Sequence, residues 1–145
     1  MKKILVLALM LLYATSIWAA DKKPYEFEDA FVRATPMKMS AGYVVIKNDS
    51  NEKDVLLSAS ASWAGKIELH EIVENKGVVE MREVKEMALS AHGTLALRPN
   101  GLHLMLFDLD KPLVAGKTAK LTFHFAKAGD VTVKFRVMPV SYKGK

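Results

Sequence analysis

An alternation of period two runs through most of this chain and constrains its fold more than any other feature. In "KLTFHF" the apolar Leu121, Phe123 and Phe125 alternate with Lys120, Thr122 and His124, and Val131, Val133, Phe135 and Val137 repeat the pattern. Successive strand residues face opposite sides, so each run offers one face to a core and one to water. The segments "YEFEDAFVRA", "AGYVVIKN", "VLLSASAS", "KIELHEI", "GVVEMREV", "TLALRP" and "LHLMLFDL" read as further strands. Turn formers separate them: the loop "TPMKMS", the cluster "DSNEKD", the hairpin signal "KAGD" and an irregular stretch around Ala88 to Gly93. Short strands at this spacing predict an all-β sandwich or barrel.

A chain of 145 residues suits one domain with a real core. It shows no internal repeat, low-complexity segment or dividing linker. Its first twenty residues are of another kind. Lys2 and Lys3 precede an apolar run from Ile4, small Ala19 and Ala20 follow, and "DKK" comes next. This is the layout of a secretory signal peptide, with an apolar run shorter than the about 20 residues of a membrane span. Cleavage is expected after Ala19, because cleavage after Ala20 puts bulky Trp18 at the third position back. The expected organisation is a signal peptide over 1–19 and a single β domain over 20–145, with no stable membrane span after processing. Loss of Lys2 and Lys3 lowers the net charge from +5 to +3. With no basic run, nucleic acid is not an expected partner.

An exported domain meets conditions that permit disulfides, yet this chain has no cysteine. Thiol nucleophiles, zinc–thiolate sites and blue-copper centres are therefore excluded, and soft-metal chemistry falls to methionine sulfur and histidine nitrogen. Of the four histidines, His92 precedes Gly93 in a loop and His124 points outward from a strand, so both read as surface residues. In "LHLMLFDL", Leu102, Leu104 and Leu106 take the core side, while His103 and Met105 project together from the other.

His70 and Met81 flank the turn formers "ENKG" of a hairpin. With an even loop, either Asn75-Lys76 or Glu74 to Gly77, the two stand directly opposite on one face. An odd loop with Gly77 as a bulge puts them on opposite faces. The even loop is expected, since it gives Met81 a partner. His70, Met81, His103 and Met105 then form a set of two imidazoles and two thioethers, which suits Cu(I). Zinc more often recruits cysteine or carboxylate, and calcium and magnesium want oxygen. Packing is the competing explanation for any single His-Met pair.

The spacing reads His70, ten residues, Met81, twenty-one residues, His103, one residue, Met105. It resembles the copper-binding signature H(M)-x10-M-x21-H-x-M of the periplasmic copper chaperone family PCu(A)C. "FVRATP", "ELHE", "LRPNGLHLML" and "KPLVAGKTAKLTFHFAKAGDVTV" extend the resemblance over nearly the whole domain. It implies a cupredoxin-like Greek-key β-barrel that holds one Cu(I) per monomer. It also implies delivery to the Cu(A)-containing subunit of cytochrome c oxidase, often alongside a Sco-type thiol protein. Two departures stand out. Ile72 stands where many members of that family carry the methionine of "HEM", and the end "VMPVSYKGK" lacks a Met- and His-rich tail, which argues against a second, Cu(II) site. Met37 and Met39 are expected to be loop or rim residues.

The chain is expected to act as a monomer and not as an enzyme, for no nucleophile–base–orienter set stands out in the sequence. A copper buffer with no delivery partner, or a metal-free β-sandwich interaction module, are the alternatives of other classes.

Overall fold

The computed structural model describes residues 24–145, and the predicted signal peptide lies outside them. Among these residues ten strands form: β1 (Tyr25–Arg33), β2 (Met39–Asn48), β3 (Asp54–Ser60), β4 (Ala64–Asn75), β5 (Val78–Glu83), β6 (Met87–Leu89), β7 (Thr94–Leu97), β8 (His103–Leu109), β9 (Thr118–Phe125) and β10 (Gly129–Met138). Among the described residues there is no α-helix. The hydrogen-bonded order is β5-β4-β8-β2-β1-β10-β9-β3-β6, with β7 pairing β2. Every ladder is antiparallel except β1 with β10. Neighbours far apart in sequence, such as β4 with β8, are the crossovers of the expected Greek-key barrel.

The sheet curls around one core. Val44 of β2, Leu69 of β4 and Leu104 of β8 share a buried cluster with Leu56 of β3, Phe123 of β9 and Phe135 of β10. The alternation acts as predicted: Leu121, Phe123 and Phe125 are buried, as are Leu104 and Leu106. The stretch expected to be irregular from Ala88 begins inside β6, where Met87 and Leu89 are buried and Ala88 is exposed. Its pairing with β3 supplies the backbone partners that three residues cannot supply alone.

The β4–β5 hairpin sets the site. Its loop is Lys76-Gly77, both at positive φ (50° and 80°), closed by the pair Asn75 and Val78. These are the requirements of a type I′ turn, and glycine takes the second central position without strain. The loop is even, as expected, but lies one residue further along than either predicted loop. Met81 therefore pairs with Ile72 and His70 with Glu83. The direct opposition predicted for His70 and Met81 is corrected to a diagonal on the same face, a separation of about 7–8 Å that long side chains still bridge.

Candidate metal centre

Strand β8 runs between β4 and β2, and two ladders bring the site together. Across β4 and β8, His70 stands opposite His103 and Glu68 opposite Met105. Across β2 and β8, Ala41 stands opposite Met105. Leu69, Leu104 and Leu106 turn inward into the core and fix the strands. Glu68, His70, His103 and Met105 consequently share the outer face.

A cleft of about 240 Å³ opens on this face, lined among others by Arg33, Tyr43, Met81, His103, Met105 and Lys143. Three of the four predicted ligands thus meet in one cleft. His70 is not among its lining residues; its ring adjoins that of His103, with centroids 5.6 Å apart. Met81 is 62% exposed and His103 only 3%, so the thioether forms a rim and the imidazole a floor. Met37 and Met39 are exposed, Met37 in the loop as expected and Met39 as the first residue of β2, and neither lines the cleft. Leu104 and Leu106, close to the site in sequence, are core residues and take no part in the rim.

Each imidazole is held by one nitrogen and leaves the other bare. His103 Nδ1 lies 2.8 Å from the Gly101 carbonyl oxygen, which accepts only an N–H, so Nε2 carries the free lone pair. Gly101 is placed by a turn in which its N–H donates to Arg98 O, with Pro99 second and Asn100 third at φ 67°. His70 Nε2 lies 2.7 Å from Glu68 Oε2, leaving its Nδ1 lone pair free. His70 Nδ1 and His103 Nε2 are the buried side-chain polar atoms without a hydrogen-bond partner among the described residues. Such atoms normally find partners, and two on adjacent rings mark a place built for something else to bind.

Glu68 was missed by the sequence reading, although its two-residue spacing from His70 puts it on the same strand face. Its carboxyl is bonded first by Lys66 and then by His70, which together hold it below the ordinary carboxylate range. Glu71, on the opposite face, instead accepts from Arg82 at 2.7 Å. Tyr43, its ring 6.3 Å from that of His103, was also missed, because only the β2–β8 pairing brings it near. Arg33 lies over the Tyr43 ring and donates to the carbonyls of Val140, at 2.8 Å, and Tyr142, strapping the carboxyl-terminal segment beside the cleft.

The other two histidines lie elsewhere. His92 contacts Asn51, 2.6 Å away. His124 is less plain than expected: Nε2 meets Ser60 Oγ and Nδ1 meets Asp130 Oδ1, both at 2.7 Å. The trio has the bonding order of a hydrolase triad, but Asp130 is 71% exposed and its charge is screened by water. We read it as a polar link across β3, β9 and β10. Among the described residues no three His, Cys, Asp or Glu side chains are grouped to hold a metal ion, so a four-donor set here needs the thioethers.

Together, the fold and the site define a cupredoxin-like β domain with a cleft of histidine and methionine on one sheet face. The chain belongs to the LpqE-like family, described as "Putative lipoprotein LpqE-like", which matches residues 25–137. It is 33% identical over 121 residues to "Putative lipoprotein Lxx21020" of Leifsonia xyli, covering 79% of this chain and 73% of that one. Among solved structures it resembles CuI-DR1885 from Deinococcus radiodurans, at 29% identity and TM-score 0.62 over 75% of this chain and 74% of that one. The copper-bound PCuAC domain from PmoF2 shares the fold at 21% identity and TM-score 0.68, covering 80% of this chain and 93% of that one. These likenesses bear out the PCu(A)C resemblance.

Proposed function

We propose that this protein is an exported, periplasmic Cu(I) chaperone that binds one ion per monomer through His70, Met81, His103 and Met105 and passes it to the Cu(A) site of cytochrome c oxidase. The observation that carries the reading is the pair of buried nitrogens without a partner among the described residues, His70 Nδ1 and His103 Nε2, on directly paired residues beside two thioethers. Neutral nitrogen and sulfur donors favour a soft monovalent ion over zinc, calcium or magnesium. Glu68 and the Gly101 carbonyl fix the two rings as outer-shell partners of metal-bound histidines commonly do.

Delivery is favoured over storage by the shape and charge of the rim. Met81 is open to solvent, so an acceptor can reach the ion from that side. Arg33 and Lys143 place positive charge beside the cleft, which disfavours a bound cation and attracts an anionic thiolate, such as that of a Sco-type partner. The test is anaerobic titration of the protein with Cu(I) against a competing chelator, followed by mixing with an apo Cu(A) domain. One tightly held ion that moves to the acceptor supports chaperone function; an ion that is held but never surrendered supports a buffer. Undiminished binding in Met81→Ala or His103→Ala removes that residue from the site.

A further inference from the structure

Strand β5 begins the sheet order, so one edge is bonded to β4 and the other has no partner strand among the described residues. All six residues are exposed, with Val79 at 66% and Met81 at 62%. Exposed edges are usually blunted by proline, a bulge, a shortened strand or charged side chains, and of these β5 carries only the charges Glu80, Arg82 and Glu83, which are of mixed sign. β5 has no proline and pairs with β4 without a register shift. The Val84 N–H donates to Leu69 O, and in an antiparallel ladder neighbouring residues turn their amides to opposite edges. The amides of Val79, Met81 and Glu83 therefore point away from β4, ready to bond a further strand.

We propose that β5 pairs antiparallel with β5 of a second copy of this chain, about a two-fold axis at Met81. A two-fold perpendicular to the sheet keeps each residue on its own face, so the central registers are those centred on Glu80, Met81 or Arg82. Centring on Glu80 sets two carboxylates directly opposite, and centring on Arg82 sets two guanidiniums opposite. Both are unfavourable. Centring on Met81 sets Glu80 against Arg82 of the second copy, twice by symmetry, and lets Val79, Met81 and Glu83 all exchange backbone bonds. Arg82 already bonds Glu71, and its five donors leave room for a second carboxylate. The two Met81 residues then lie opposite each other, with Cα atoms about 5.5 Å apart, and the rims of two clefts meet.

The pairing predicts a weak dimer where the sequence suggests a monomer, since six residues of edge make a small interface of the transient class. The pairing rests on the edge and its charges and is independent of the copper reading. Sedimentation velocity on the metal-free protein over a rising concentration series tests it. The wild type is expected to dimerise, and Glu80→Arg and Arg82→Glu are each expected to weaken self-association at least tenfold. An equimolar mixture of the two variants is expected to recover wild-type association, because the charges again alternate across the axis. Circular dichroism checks that both variants fold. A wild type that stays monomeric throughout, single variants that dimerise as well as wild type, or a mixture that recovers nothing would each overturn the proposal.

Discussion

His70 of β4 and His103 of β8 stand directly opposite each other on one ladder, and each keeps a buried ring nitrogen with no partner among the described residues. The bare atoms differ, Nδ1 on one ring and Nε2 on the other, because Glu68 binds His70 at Nε2 and Gly101 binds His103 at Nδ1. Nitrogen-15 spectra of the metal-free protein should show a ring proton on Nε2 of His70 and on Nδ1 of His103, as their hydrogen bonds require. Adding Cu(I) should shift His70 Nδ1 and His103 Nε2 and leave His124 unmoved. A shift at His124 alone would place the ion elsewhere.

Glu68 holds the His70 ring through a single 2.7 Å contact and should therefore tune the site without touching the ion. Glu68→Gln keeps an acceptor but loses the charge, and Glu68→Leu loses both. Outer-shell changes of this kind weaken metal binding by roughly 10–100-fold. Competition titrations should rank Cu(I) affinity as wild type, then Glu68→Gln, then Glu68→Leu, with thermal stability little altered.

Acid sensitivity should centre on Asp54, which is 3% exposed. Burial pushes its carboxyl upward, but the Tyr25 hydroxyl and the N–H groups of Ala128, Val55 and Lys127 outweigh burial and hold it below its ordinary value. Because the folded pKa is depressed, this stabilisation is present in full above the ordinary carboxylate value. It is lost as pH falls from there through the lower folded one. Asp54→Asn should cost about 2 kcal/mol in denaturant unfolding at neutral pH, the scale of a disturbed buried hydrogen-bond set. The difference should shrink as the pH is lowered through that window.

Leu104 sits between two proposed ligands and is fully buried. Leu104→Ala should destabilise the fold by about 2–5 kcal/mol, through lost burial and a residual cavity. Because the ladder itself fixes the ligands, Cu(I) affinity of the folded fraction should stay within a few-fold of wild type. Calorimetric melting and chelator competition measure the two effects separately.

Much of this was legible in the alternation. It separated Leu121, Phe123 and Phe125 from His124, and Leu104 from His103 and Met105, because a strand has one periodicity and two faces. The shared face of His70 and Met81 was legible too, but their exact pairing was not. Register followed from where the two positive-φ positions fell, and Lys76-Gly77 satisfied them better than the neighbouring pairs. Tyr43 and Arg33 were invisible because they join the site through ladders between strands distant in sequence. Glu68 was within reach at two residues from His70, but its role depends on which ring nitrogen it meets, and that needs coordinates.

The most direct measurement is X-ray absorption at the copper edge of the protein loaded anaerobically with one equivalent of Cu(I). Two nitrogen and two sulfur scatterers are predicted, with Met81→Ala losing one sulfur and His103→Ala one nitrogen. A first shell of oxygen, or a spectrum unchanged in both variants, would contradict a site built from histidine and methionine on this face of the barrel.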